Sequence, residues 1–465
     1  MMPLLVEPLA AAAPLEAAAK YLTDRIPRYT SYPTAPHFAP SVTDADYGVW
    51  LAALPPDASL SLYLHVPFCR ALCWYCGCNT TVTRHRAPVE DYMRLMLREI
   101  AMVADRAVAR RVAHVHWGGG TPTIAGPAAF RATMALLRDR FYLVPGAEIA
   151  VEIDPRQLDD AMAAALAEAG VNRASLGVQT FDPVVQKAVA RLQPLNATRA
   201  CARRLRAAGI EALNLDLLYG LPHQTVASCE ASARDALTLA PARFSVFGYA
   251  HVPAMKRHQA VIADETLPGA AERVAQEQAI GDALARAGYV RIGLDHYARA
   301  DDPLARAQQG AGRSARLRRN FQGYTDDPAE ALIGFGASAI GQLPQGYVQN
   351  APHLRDWSER IEAGRLATVR GRALTGEDRL RADIIERLMC DLRADVPATL
   401  SRHGFPPDAL DAELSALAPL AADGLVSNEG GVLTVPEPMR ALVRRVACVF
   451  DAYLHPESGR HAVAV

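Results

Sequence analysis

The chain has 465 residues and a formal net charge of -1; half of the residues are hydrophobic and 21% are charged. That length exceeds one small domain and suggests two or three, although an α/β barrel alone can occupy ~200–250 residues. The near-neutral balance excludes a protein whose main task is to hold nucleic acid, which needs a basic excess, and the apolar share supplies ample cores for a soluble globular protein.

The first segment, Met1–Lys20, is rich in Ala and Leu but lacks a basic n-region, and Glu7 and Glu16 interrupt the apolar run. It is neither a signal peptide nor long enough to span a bilayer. No later stretch is apolar for a membrane's length, so residence in the cytoplasm, away from any membrane, is expected.

From Ser61 the chain alternates short apolar runs with longer helical ones. Strands are predicted at Ser61–Val66, Val112–Trp117, Ile149–Ile153, Ala174–Val178, Ala212–Leu218 and Phe244–Tyr249, and helices at Val89–Ala109, Ala128–Arg140, Asp159–Ala169, Thr198–Ala208 and Val226–Leu239. Glycines close several helices, as at Ala169-Gly170 and Ala208-Gly209. The basic run Arg203-Arg204-Leu205-Arg206 reads as a solvated helix face. This repeated pattern is α/β: parallel strands with helices outside, six of them making a partial (βα)6 barrel whose chemistry gathers at the strands' C-terminal ends.

Past about Leu366, helices around Glu377–Asp391 and Asp408–Ala421 precede the short runs Gly424–Val426 and Gly431–Val435 and a terminal helix from Glu437 to Tyr453. That order predicts a small, mainly helical winged-helix-like domain. The expected division is an N-terminal extension over 1–50 contacting the active site, a barrel over 51–366 and a lid over 367–465.

Four of the eight cysteines crowd between Cys69 and Cys78, whereas Cys201, Cys229, Cys390 and Cys448 are scattered. The scattered four read as buried small hydrophobes and the crowded four as metal-binding. Cys69, Cys73 and Cys76 recur after four and then three residues, which lets one loop wrap three corners of a [4Fe–4S] cubane and leaves one iron free. Cys78 opens the alternative of a four-thiolate zinc or closed-cluster site. Structural zinc sites present two separated cysteine pairs, which this sequence lacks, and Cys78 lies too near Cys76 for a comfortable fourth corner. Three ligands with a functional thiol beside them is the expectation.

Two further features fall at predicted strand ends. The run Gly118-Gly119-Gly120 is either a tight turn or a place where bare backbone approaches a ligand's amino and carboxylate groups. Glu152 puts a carboxylate into an otherwise apolar strand, where it must be paired or hydrogen-bonded, by a core arginine or by the hydroxyls of a bound ribose.

The cluster loop with Cys78 and Asn79, the opening Arg28-Tyr29-Thr30-Ser31-Tyr32-Pro33-Thr34-Ala35, the run His116-Trp117-Gly118-Gly119-Gly120-Thr121-Pro122-Thr123 and Asn320-Phe321-Gln322-Gly323-Tyr324-Thr325 together resemble the oxygen-independent coproporphyrinogen III oxidases of the radical S-adenosylmethionine superfamily. The resemblance runs from about Arg28 to Tyr453. It implies an enzyme of anaerobic haem biosynthesis that converts two propionates of coproporphyrinogen III to vinyls, giving protoporphyrinogen IX, with a 5′-deoxyadenosyl radical abstracting hydrogen from the propionate β-carbon. It also implies an electron donor such as a flavodoxin or ferredoxin, and a monomer. Two S-adenosylmethionine molecules are implied, at Tyr63, Tyr75, Gly119, Gly120, Thr121, Glu152, Gln179, Arg191, Asp216, Ala250 and Ile340, with Cys78 catalytic.

Arg313, Arg316, Arg318 and Arg319 form a basic segment longer than is usual in the family, read as a solvated, variable loop in preference to one that attracts a substrate carrying four carboxylates. The rival from another class is a haem-binding, chaperone-like relative sharing the three-cysteine loop. Cys78, Arg28–Ala35 and Phe321-Gln322 favour the enzyme. A DNA-binding regulator rests on the winged-helix pattern alone.

Overall fold

The computed structural model describes residues 19–311 and 316–454. Arg313 therefore lies outside the described residues, as does most of the Ala-rich first segment. The chain divides into two compact units, one spanning Thr34–Thr375 and the other built from the described residues on either side of it.

In the larger unit the strands Ser59–Val66, Arg111–Gly119, Tyr142–Ile153, Arg173–Gln179, Ala212–Tyr219 and Arg243–Gly248 lie side by side, every neighbouring pair parallel. They are the six predicted strands; the third starts seven residues earlier than its apolar run, the sixth is shifted back by one residue, and the others reach one to three residues further. Helices Ala87–Arg106, Gly126–Arg140, Asp160–Glu168, Leu195–Ala207 and Val226–Leu237 carry the chain between them, as parallel strands require. Their starts are set locally. Asp159 accepts from the Met162 amide at 2.8 Å, and Thr225 and Ser228 form a reciprocal capping box. Leu60, Leu62 and Leu64 are fully buried in the first strand, and Trp117 packs on Phe130 with ring centroids 4.3 Å apart.

The sheet is larger than six strands. Ala331–Phe335 pairs parallel to the first strand, and Ile340–Leu343, Gly346–Asn350 and Thr368–Ala373 continue antiparallel from it; at the far side His296–Arg299 and Tyr289–Ile292 are added, giving twelve strands among the described residues. These additions are short, and glycines break their side-chain period, so the sequence pattern does not announce them. The glycines have a cause: a Cβ at Gly334 would stand 2.8 Å from the Ile340 carbonyl oxygen.

Helix Asp44–Ala52 and strand Thr368–Ala373 belong to the larger unit, where Ala39 bridges to Gly371. The smaller unit runs helix Gly376–Asp391, strand Arg393–Asp395, helix Val396–His403, short helices Asp411–Ala416 and Ala418–Ala422, and the hairpin Ser427–Glu429/Val432–Thr434, whose second strand is central in a three-stranded antiparallel sheet. Gly430 and Gly431 take φ of 61° and 86°, the left-handed pair a two-residue hairpin demands. The single helix predicted over Asp408–Ala421 is divided at Leu417, where Pro419 has no N–H to donate to the Ser415 carbonyl four residues back, and the terminal helix is broken into Glu437–Leu442, Val443–Ala447 and Cys448–Phe450. All eight cysteines are free, and the four scattered ones are buried.

Candidate active site

The cluster loop begins where the first strand ends and is tied down from several directions. Phe68–Cys69 pairs with Thr81–Val82 as a two-residue parallel ribbon. The Trp74 amide donates to Val189 O (3.0 Å) and the Cys76 amide to Cys73 O (3.1 Å). From distant sequence, Gln259 Nε2 donates to Tyr75 O (3.0 Å), His258 Nε2 to Cys76 O (2.7 Å) and Lys256 Nζ to Cys78 O (3.0 Å). Sequence reasoning missed this strap; it lies some 180 residues beyond the loop and has no motif of its own.

Cys69 Sγ lies 3.5 Å from Thr121 Oγ1, and Arg191 Nη1 donates to Cys73 Sγ at 3.5 Å. Burial raises the Cys69 thiol to about 11. A hydrogen bond from the Cys78 thiol holds Cys76 below the ordinary thiol range, with His258 and Lys256 adding to it, and Cys78 is correspondingly kept protonated. No three His, Cys, Asp or Glu side chains among the described residues stand within reach of a single metal ion.

The glycine run does something more specific than open a turn. Gly119 N donates to Glu152 Oε2 (3.1 Å), Gly120 N to Val66 O (2.9 Å) and Thr121 N to Phe68 O (2.8 Å). These three amides are satisfied inside the protein. A Cβ at Gly120 would lie 2.5 Å from Phe68 O; glycine is needed there so the turn can lie against the start of the cluster loop. Glu152 finds no arginine. His116 Nε2 is 3.1 Å from its Oε1, and the carboxylate keeps 39% of its surface exposed.

Around this centre Tyr63 is hydrogen-bonded to His65 (2.9 Å) and stacks on His116, centroids 5.8 Å apart. Gln179 ends the fourth strand at φ 70°, a conformation that costs a non-glycine residue ~1–2 kcal/mol and is typical of functional positions. Arg191 is no surface residue: it is buried, donates to Gly177 O at 2.6 Å and pairs with Asp154 at 3.7 Å. Asp216 accepts from Ser175 (3.1 Å) and Asn214 (2.8 Å), and burial, with Glu152 nearby, raises its carboxyl to about 6. Tyr75 packs against the satellite core of Val185, Val189 and Tyr249. Ala250 follows the sixth strand and Ile340 opens a strand on the opposite side of the sheet.

A polar cavity of about 160 Å³ inside the barrel is lined by residues including His116, Glu152, Asn214, Asp216 and Gln322. Gln322 comes from the turn of hairpin Arg318–Asn320/Gly323–Thr325. The basic segment feeding this hairpin is not wholly solvated as expected: the Arg319 side chain is 6% exposed, pairs with Asp295 at 3.5 Å and lies over the Tyr324 ring.

Residues 63–236 match the radical SAM superfamily. The oxygen-independent coproporphyrinogen III oxidase of Bradyrhizobium diazoefficiens is 54% identical over 449 residues, 96% of this chain and 99% of that protein. The chain belongs to the oxygen-independent coproporphyrinogen III oxidase family. The Escherichia coli member is 39% identical over 433 residues, 93% of this chain and 94% of that one. The solved structure of coproporphyrinogen III oxidase from Escherichia coli, described as a radical SAM enzyme, superposes with a TM-score of 0.86 at 38% identity, covering 93% of this chain and all of that one.

Membership in this oxidase family makes the chain a radical SAM enzyme, with a [4Fe–4S] cluster and S-adenosylmethionine as its cofactors. The residues present fit both. Three thiols stand on one loop, and Arg191 Nε is buried beside them without a protein partner, a donor placed for a ligand's carboxylate. No helix among the described residues is long and apolar enough to cross a membrane.

Proposed function

We propose that this protein oxidatively decarboxylates two propionates of coproporphyrinogen III to vinyls without oxygen, giving protoporphyrinogen IX. The observation that carries this reading is the assembly of the three-cysteine loop, Cys78 and Glu152 at the C-terminal ends of the barrel strands, in a chain 54% identical along nearly its whole length to an enzyme of that name. When bound, the cluster and S-adenosylmethionine supply one-electron cleavage of a sulfonium and hydrogen abstraction from the substrate.

The chain's own residues bind, orient and seal. Cys69, Cys73 and Cys76 hold the cluster. Glu152, with two oxygens already oriented by His116 and Gly119 N, accepts ribose hydroxyls, and Arg191 clamps a carboxylate. Tyr63, Tyr75, Gly119, Gly120, Thr121, Gln179, Asp216, Ala250 and Ile340 complete places for two S-adenosylmethionine molecules. Asp216, raised to about 6, is poised near neutrality to accept from an amino or hydroxyl group. Cys78, kept as a thiol by its bond to Cys76, faces the reaction as a hydrogen donor. The N-terminal Arg28–Ala35 and Phe321-Gln322 bear on substrate. Free cysteines throughout suit a monomer in the reducing cytoplasm, with a flavodoxin or ferredoxin as electron donor.

Anaerobic incubation of reconstituted protein with coproporphyrinogen III, S-adenosylmethionine and a reductant tests this. Protoporphyrinogen IX should form, with two equivalents of S-adenosylmethionine consumed. Deoxyadenosine released without loss of porphyrin carboxylates would sink the substrate, and tight haem binding alongside would favour the chaperone-like reading.

A further inference from the structure

Each sulfonium cleavage breaks a carbon–sulfur bond and takes one electron from the cluster, while loss of CO2 from the substrate radical gives one electron to a separate acceptor, so an outside one-electron donor must re-reduce the cluster before the next turnover. Electron transfer weakens steeply with distance, which makes the surface nearest a cluster ligand the place of delivery.

In the ribbon of Phe68–Cys69 and Thr81–Val82, Cys69 stands in register with Val82, one strand spacing of about 4.8 Å away. The Thr83 amide donates to Cys69 O at 3.0 Å and the Thr81 amide to Pro67 O at 2.6 Å, so the ribbon is hydrogen-bonded straight onto the ligand's backbone. Its outer side is open. Val82 is 44% exposed, and Thr81, Arg84, His85 and Arg86 are exposed.

Along the chain, the charge on either side of the ribbon has one sign. Between Asp57 and Glu90 the chain carries no carboxylate, whereas Arg70, Arg84, His85 and Arg86 flank the apolar Val82, with the Arg70 guanidinium tied to Thr83 O at 3.4 Å. The first acid, Glu90, pairs with Arg86 at 3.4 Å, both side chains being largely exposed, and such a pair yields easily to a better partner. The net charge of the whole chain is only -1, so this cationic rim is a local feature. An exposed apolar contact ringed by like charge is how weak, fast electron-transfer encounters are built: small in area and steered by the rim.

We propose that the ribbon Thr81–Arg86 is the docking surface for a small acidic one-electron carrier protein, which delivers its electron to the cluster past Val82 and Cys69. The proposal rests on the function assigned above, since a cluster must be present to be reduced.

The test is stopped-flow reduction of the reconstituted holoprotein, followed by loss of cluster absorbance, with flavodoxin hydroquinone and, separately, with dithionite, which needs no docking surface. In the double variant Arg84→Glu, Arg86→Glu the second-order rate with flavodoxin should fall about tenfold. The rate with dithionite, the iron content and the affinity for S-adenosylmethionine should stay unchanged. The wild-type flavodoxin rate should drop with added salt, and that of the variant should not. Val82→Glu should slow flavodoxin alone in the same way. An unchanged flavodoxin rate overturns the proposal, as does an equal loss with both reductants, which would place the residues' effect on the cluster itself. Intact flavodoxin reduction with a raised KM for coproporphyrinogen III would instead assign the arginines to the carboxylate-bearing substrate. If dithionite fails to reduce the wild-type holoprotein, the radical SAM reading falls with it, a result distinct from all of these.

Discussion

A hydrogen bond between Cys76 and Cys78 lowers the first thiol's pKa and raises the second's, in keeping with the ligand and non-ligand roles proposed for them. Replacing Cys69, Cys73 or Cys76 by Ser should abolish the four-iron cluster, whereas Cys78→Ser should keep it and lose turnover. Iron and sulfide analysis after anaerobic reconstitution separates the two, and loss of iron from the Cys78 variant would restore the closed four-thiolate site. Glu152 holds its carboxylate with His116 and Gly119 N and leaves room for further donors. Glu152→Ala should weaken S-adenosylmethionine binding by about 1.5–3 kcal/mol, the worth of a hydrogen bond to a charged group, read by anaerobic titration calorimetry. Unchanged affinity in a folded variant would return Glu152 to a structural role.

Among the elements, helix Ala87–Arg106 does more than cover the sheet. Its Glu99 is buried and accepts from Gly336 N (2.6 Å), Asn350 Nδ2 (2.7 Å) and Trp357 Nε1 (3.2 Å), binding together the turn before Ile340, an antiparallel strand and the following helix. Two turns back, Tyr92 donates to His65 O (2.7 Å) and accepts from Ala337 N (3.0 Å). Burial lifts the Glu99 carboxyl from its ordinary 4.5 to about 7 against the pull of those donors. Folding therefore favours the protonated acid. The contribution is fully present below about pH 4.5 and is lost progressively as the pH rises to about 7, on the order of 3 kcal/mol in all. Denaturant unfolding of wild type and Glu99→Gln at pH 5 and pH 8 should show the wild type losing stability relative to the variant across that interval. Parallel curves would mean that Glu99 stays ionised in the fold.

At the scale of the whole molecule, the smaller unit is assembled from both ends of the described chain. Tyr29 donates to Asp451 (2.9 Å), Ala452 N to Tyr32 OH (3.0 Å), Lys20 pairs with Asp423 (2.8 Å) and Arg445 with Asp24 (3.0 Å). Tyr21, Leu22, Ile26, Tyr29 and Tyr32 are buried, and each such side chain is worth ~1.5–3 kcal/mol. Their sum exceeds the margin of a domain this small. Deleting residues 1–33 should therefore leave residues 376–454 without protection in hydrogen exchange and open to proteolysis. Full protection in the truncated protein would make the N-terminal segment dispensable to that fold.

The sequence by itself determined what depends on near neighbours along the chain. The four-then-three cysteine spacing is a property of one loop, and the six parallel strands and their helices follow from periodicities of two and 3.6. A polar residue at the end of an apolar strand, as Glu152 is, points to a site because burial without a partner is costly. Tertiary structure decided what depends on residues far apart in sequence. It made Arg191 a buried donor to Cys73, brought Lys256, His258 and Gln259 over the cluster loop, and gave Glu152 a histidine where an arginine was one expectation. It also added the short outer strands and joined the chain's two ends in one core. These hydrogen bonds and pairings link residues tens to hundreds of positions apart, and a local periodicity carries no record of which strand end or loop a side chain will meet once the sheet has formed.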